Sequence, residues 1–317
     1  MWHVAGPMRL NRFLAASGLG SRRSCEELIL AGRVTINGQI CQNLATEVSE
    51  SDFVKVGSKR VLPEKHLYVL LHKPKGFLCT AADTHERRTI FELIPTHWPR
   101  LFHVGRLDFD SEGLLILTND GDLGLRLTHP RFKIEKEYEV LLESAYNAVE
   151  STPKLLRGVS IEGGRAKAES VRQIGPNTIR IVLRQGLKRQ IRLMLYKLGY
   201  EVKRLIRVRI GPIRMGQLRT GEWRPLTAEE VAMLRKEPPA PAKVRAVNTG
   251  GEVSEEARSG PKPKRAGKEQ KARKDAGSRR PKDDRPRGRS RRPGGSARPG
   301  INGRRSAASA PKAGRRP

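Results

Sequence analysis

Residues 105–121 read GRLDFDSEGLLILTNDG, and the placement of this stretch decides how the rest of the chain is read. Its apolar run LLILT is strand-sized, much too short for a membrane span, and it is closed by the turn-forming sequence NDG. Two carboxylates, Asp108 and Asp110, stand just ahead of it and two residues apart. On an extended chain they would share a face, whereas a turn would separate them. Similar strand-sized runs lie on both sides: YVLLHKP (68–74), EYEVLL (137–142) and TIRIVL (178–183). Helices are expected at DLGLRLTH (122–129) and at KRQIRLMLYKLG (188–199), the latter with Ile191, Leu195 and Leu198 on one side and Gly199 at its end. Short apolar runs broken by Gly, Pro and charged turns make residues 67–236 a strand-rich α+β domain with its own core.

Upstream, residues 8–66 form a separate small module. RLNRFLAASG is a helical pattern with Leu10, Phe13 and Leu14 on one face. Ser21 is placed to cap a second helix, SRRSCEELILAG, with Ser24 as a competing start and Gly32 as its close. Between VTI and QICQN, the pair Asn37-Gly38 signals a hairpin, because both residues tolerate positive φ. Arg9, Arg12, Arg22, Arg23 and Arg33 fall around these helices and loops, as candidate phosphate contacts or as solvated surface charge.

The charge is uneven. Of the net +30, residues 237–317 hold +16, from 24 Lys and Arg against 8 Asp and Glu. This tail has no Phe, Trp, Tyr, Leu, Met or Cys, so it is expected to be disordered and to tether polyanions rather than read them. The remaining +14 and a pI near 10.9 also point to nucleic acid. There is no run of about 18 apolar residues and no secretory signal, so a cytoplasmic protein without membrane attachment is expected. Cys25, Cys41 and Cys79 form no C-x-x-C pair, which argues against a disulfide framework or a zinc site. The phosphate-loop, dinucleotide, zinc-protease and G-x-S-x-G patterns are missing too. From the residues alone, Asp108 and Asp110 could hold Mg²⁺, cap the loop before LLILT, or supply a working carboxylate.

RLNRFLAASGLGSRRSCEELILAGRVTINGQ (9–39) resembles the S4-type RNA-binding domain, with Asn11 where many members carry Asp. GRLDFDSEGLLILTNDG resembles, over all its positions, the signature of ribosomal RNA pseudouridine synthases of the RsuA/RluB family. HKPKGFLCT, KEYEV and QGLKRQIRLM resemble further family segments in the same order, with His72 in place of the usual Asn and Leu193 in place of a common basic residue. The resemblance covers residues 8–235. It implies a helix-helix-hairpin RNA-binding domain, then a catalytic domain with a mixed, mostly antiparallel β-sheet and flanking helices. It makes Asp108 the catalytic carboxylate, Tyr138 the aromatic that packs on the target uracil, and Arg192 the ionic partner of Asp108. Arg106, Lys188 and Arg189 join the N-terminal arginines as RNA-binding candidates.

The implied reaction breaks N1–C1′ of a uridine and joins C5 to C1′, so no cofactor and no metal are expected. The implied partner is ribosomal RNA or a pre-ribosomal particle, and the protein is expected to act as a monomer. Large-subunit (23S) RNA is the preferred substrate. A small-subunit (16S) enzyme and a noncatalytic assembly factor are the alternatives.

Overall fold

The computed structural model describes residues 6–81, 83 and 85–236, so the expected disorder of 237–317 lies outside the described residues. In the N-terminal module, α1 (Leu10–Ala16) and α2 (Arg22–Leu30) pack through Leu10, Phe13, Leu14, Cys25 and Ile29. Ser21 caps α2 by accepting the Ser24 amide at 3.1 Å. Buried Asn11 donates to Glu26 at 2.6 Å, linking the two helices where an Asp would face that carboxylate with like charge. Strands β1 (Val34–Ile36), β2 (Gln39–Ile40), β3 (Val54–Val56) and β4 (Lys59–Arg60) form one antiparallel sheet in the order β2-β1-β3-β4. Its first turn has Asn37 at φ 51° and Gly38 at φ 88°, the left-handed pair that this hairpin requires.

The larger part of the chain is built on a nine-stranded sheet. Its strands include β5 (Tyr68–Lys73), β6 (Phe102–Val104), β7 (Glu112–Thr118) and β8 (Lys136–Leu142). Next come β9 (Ser170–Gly175), β10 (Thr178–Leu183), β11 (Val202–Ile210) and β12 (Trp223–Pro225). The order is β9-β10-β8-β11-β7-β5-β12, with β6 on β7 and the short strand Ile213–Arg214 on β11. Every pairing is antiparallel except β11 with β7. Every residue of β7 is buried, as expected for a strand at the centre of a sheet.

Helices α3 (Gly121–Thr128), α4 (Ala148–Arg157), α5 (Gln190–Lys197) and α6 (Ala228–Arg235) flank this sheet. One core joins Val140, Ile179, Ile181 and Leu205 of the sheet to Leu155 of α4 and Ile191, Met194 and Leu195 of α5. Asp120, 2% exposed, caps α3 by accepting the amides of Asp122 and Leu123. It also accepts from the Tyr68 hydroxyl at 2.9 Å and from Arg235 at 2.6 Å, which fastens the end of α6 to the start of β5. Arg235 bonds the Tyr68 hydroxyl as well, at 2.8 Å.

Candidate active site

The two carboxylates of RLDFD sit in a turn, closed by the Ser111 amide donating to the Asp108 carbonyl at 3.1 Å. A turn would be expected to part them, yet both remain within reach of one guanidinium. Arg189 lies 3.1 Å from Asp110 Oδ2 and 4.0 Å from Asp108 Oδ2. Arg192, expected to pair with Asp108, instead has its ion pair with Asp110: Nε stands 3.3 Å from Asp110 Oδ2 and Nη2 donates to the Asp110 carbonyl at 3.0 Å. The reason is positional. Arg192 is also held by the Val202 carbonyl at 3.0 Å, and its side chain is only 14% exposed, so its guanidinium is fixed at the Asp110 end of the turn. Burial alone would raise the Asp110 pKa, but the hydrogen bonds and charge of Arg189 and the charge of Arg192 outweigh it and hold the carboxyl below its ordinary value. Arg192 is itself pushed down by burial, against the opposing pull of Asp110.

Two cations that sequence reasoning missed hold the turn and the residues flanking it. Lys73, fully buried at the end of β5, donates to the carbonyls of Pro74 (2.9 Å), Asp108 (3.1 Å) and Ser111 (2.8 Å). Burial lowers its pKa, opposed by the nearby Cys79, Asp110, Asp108 and Glu112. Arg207, 2% exposed, donates to the Leu114 carbonyl at 2.7 Å and the Arg106 carbonyl at 3.3 Å. For Lys73 the signal in the sequence is a charge at the end of the apolar run YVLLHK, whereas Arg207 sits among other cations in VKRLIRVRI and carries no such signal. The turn is also tied through its amides, with Leu107 donating to Cys79 Sγ at 3.5 Å and Gly76 donating to the Phe109 carbonyl at 2.9 Å. His72 shares a 2.8 Å hydrogen bond between Nδ1 and the Leu218 carbonyl.

Gly113 lets β7 approach β11 at the foot of this loop. Its φ is +110°, and a Cβ there would stand 2.4 Å from the Arg207 carbonyl oxygen. Only glycine fits both conditions. The register then sets Arg207 between Gly113 on one side and Tyr138 on the other, so the turn, the buried arginine and the tyrosine follow one line across the sheet. Tyr138 is half-buried and packs on the core under α5.

The remaining RNA candidates divide. Arg22, Arg23, Arg33, Arg106 and Lys188 are exposed. Arg9 is exposed too but donates to the Leu44 carbonyl at 3.0 Å. Arg12, expected at the RNA surface, has an ion pair with Asp122 at the start of α3, so it joins the N-terminal module to the part of the chain built on the nine-stranded sheet. Arg189, at φ 50°, caps α5 in a left-handed conformation. What the site offers is a carboxylate 39% exposed, one arginine 4.0 Å from it and a second on the adjacent Asp110, and an aromatic on β8, across β11 from the foot of the loop.

Residues 67–197 match the RNA pseudouridylate synthase family, and residues 8–54 match the S4 domain. The chain is 41% identical over 235 residues to an uncharacterized RNA pseudouridine synthase of Aquifex aeolicus, covering 72% of this chain and 94% of that one. It is 36% identical to ribosomal large subunit pseudouridine synthase B of Bacillus subtilis, covering 72% of this chain and 95% of the relative. A crystal structure of a pseudouridylate synthase superposes with a TM-score of 0.54 at 28% identity, over 72% of this chain and 99% of that chain.

Proposed function

The chain belongs to the RsuA/RluB family of RNA pseudouridine synthases, an S4 domain preceding the synthase domain, and from that premise we propose that it isomerises one uridine of large-subunit (23S) ribosomal RNA during ribosome maturation. It is an isomerase that converts uridine to pseudouridine in RNA. The observation that carries the site reading is the half-exposed Asp108 on a turn pinned by Lys73, with the Arg189 guanidinium 4.0 Å away and Arg192 held on the neighbouring Asp110. In this reading Asp108 is the carboxylate that acts at the sugar, where it must be ionised when the base arrives. Arg189, 4.0 Å from Asp108, supplies a positive charge that favours the carboxylate over the neutral acid once RNA has displaced water from the site.

Tyr138 gives the flipped uracil a planar face, and its hydroxyl is a candidate to take the C5 proton in the last step. Arg106, exposed beside the turn, takes the place of the extruded base or a flanking phosphate. Arg22, Arg23 and Arg33 on the N-terminal module grip the RNA backbone, which positions the substrate without reading its sequence.

The preference for the large subunit is supported by the Bacillus subtilis relative, whose name states that substrate class, and by the strongly basic QGLKRQIR segment and tail. The experiment is pseudouridine mapping of all ribosomal RNA from cells with and without the gene, and from cells carrying Asp108→Asn. A single 23S position that loses its modification in both the deletion and the variant is the expected result. Loss at a 16S position would overturn the subunit assignment, and retained modification in the variant would overturn the role of Asp108.

A further inference from the structure

Tyr138 does not stand alone on its face of the sheet. Lys136 precedes it by two residues on β8 and therefore shares that face, and Arg207 is its direct cross-strand partner on β11. Arg207 spends Nε and Nη1 on the Leu114 and Arg106 carbonyls, while its buried Nη2 has no hydrogen-bond partner among the described residues. Lys136 donates to the Ile134 carbonyl at 3.2 Å and has no ion pair among the described residues. Carboxylates are close in sequence, but they turn the other way. Glu135 pairs with Arg184 and Arg209, and Glu137 pairs with Arg209 and Arg214, on the opposite face. Asp108 and Asp110 of the loop are engaged by Arg189 and Arg192. The cross-strand neighbours of Lys136, Leu183 and Ile210, are apolar. The fold thus places an unneutralised ammonium and an incompletely satisfied guanidinium beside the aromatic proposed to hold the base. Burial first, and the Arg207 charge second, lower the Lys136 pKa to about 8.

We propose that Lys136 is a further catalytic residue, whose ammonium, backed by Arg207, faces the uracil on Tyr138 and carries the negative charge the base takes up as N1–C1′ breaks. The inference rests on the Asp108 and Tyr138 site reading above. When that bond breaks, its electron pair goes to N1, and uracil becomes an anion delocalised over N1, O2 and O4. C1′ is compensated by a bond from the Asp108 carboxylate or by loss of the C2′ proton to it. C5 then attacks C1′, that carboxylate bond or proton transfer is reversed, C5 loses its proton, and N1 gains one. No electrons enter or leave. Lys136 keeps its proton throughout and acts as a fixed cation, which is most effective where charge develops only in the transition state.

The test measures kcat, KM and RNA affinity of the full chain on a 23S fragment containing the mapped uridine, for wild type, Lys136→Met, Lys136→Arg and Asp108→Asn. Lys136→Met is expected to lower kcat ~100- to 1,000-fold while KM and affinity change less than about threefold. Wild-type kcat/KM is expected to fall above about pH 8, as the free-enzyme ammonium is lost. Lys136→Arg, which stays charged, is expected to keep at least about a tenth of the rate and to lack that alkaline fall. A Lys136→Met enzyme with near-normal kcat, or with raised KM and unchanged kcat, overturns the proposal. Should that variant not fold, equal alkaline profiles for wild type and Lys136→Arg overturn it instead. An inactive Asp108→Asn beside an active Lys136→Met removes only the Lys136 assignment, whereas an active Asp108→Asn removes the site reading with it.

Discussion

Arg192 is joined to Asp110 twice, through the side chain at 3.3 Å and through the backbone carbonyl at 3.0 Å, and Asp110 also holds Arg189. Asp110 is therefore the hinge pin of the cationic wall around Asp108. Removing its carboxylate with Asp110→Ala frees Arg189 and leaves Arg192 held only by the backbone carbonyls of residues 110 and 202, and kcat is expected to drop ~10- to 100-fold with RNA affinity changed less, because small displacements of positioning groups are costly to the chemical step. Asp110→Asn retains an acceptor and should recover part of the loss. Steady-state kinetics of the two variants checks this.

The same carboxylate gives a pH signature. Its folded pKa lies below the ordinary value, so its stabilising effect is complete above the unfolded pKa of about 3.9 and is lost as pH falls through the folded pKa. The stability difference between wild type and Asp110→Asn should be largest near neutrality and shrink below about pH 4. It should also be modest, since the side chain is 43% exposed. Thermal melts between acid and neutral pH read both quantities.

Lys73→Met leaves three carbonyls, those of Pro74, Asp108 and Ser111, without their common donor. The expected cost is about 2–4 kcal/mol of stability, as for unsatisfied buried polar groups. Activity should fall further than the stability loss explains, because the Asp108 turn loses its floor. Urea unfolding beside activity at a temperature where the variant is fully folded separates the two effects.

Gly113→Ala sets a methyl 2.4 Å from the Arg207 carbonyl oxygen at a φ of +110°. Backbone, not a yielding side chain, is in the way, and a loss of about 3–5 kcal/mol is expected from strain and separation of β7 from β11. A shift of the unfolding midpoint with unchanged denaturant slope would show it.

Arg22 and Arg23 are exposed on α2, whereas Arg12 is engaged by Asp122. Replacing Arg22 and Arg23 by Ala should flatten the dependence of log affinity on log salt by about one to two units of slope, and Arg12→Ala should change that slope little. RNA titrations at several salt concentrations distinguish the two. Equal slopes for both variants would mean that Arg12 also reaches phosphate.

Much of this architecture was legible. Ser21, the Asn37-Gly38 turn, and the runs that became β5, β7, β8 and β10 carry local signals that tertiary packing reinforces. Strand β11 was not, because VKRLIRVRI reads as a charged surface. Its arginines meet Glu112, Glu137 and carbonyls far away in sequence, and nothing local announces those partners. Helix α4 was masked by Pro153 inside its span. Motif spacing could bring Asp108 and Arg192 to one site, but the choice of Asp110 over Asp108 as partner depends on where the turn points each side chain. Lys73 escaped notice because a lysine next to a proline ordinarily marks a strand leaving the core, not one hidden at its end.

The contact of Arg235 and Asp120 with Tyr68 means that the polypeptide enters and leaves the catalytic domain at a single knot. Mechanically, the domain is a closed ring rather than a link in series. A pull on the segment before Tyr68 and a pull on the segment after Arg235 meet at that knot and are borne by a carboxylate, a phenol and a guanidinium. Tyr68 opens β5, so the sheet begins at the knot, while the turn that holds Asp108 lies at the far end of that strand, beside Lys73. A load applied at the two ends of this domain would therefore meet at the knot before it reached the turn that holds Asp108.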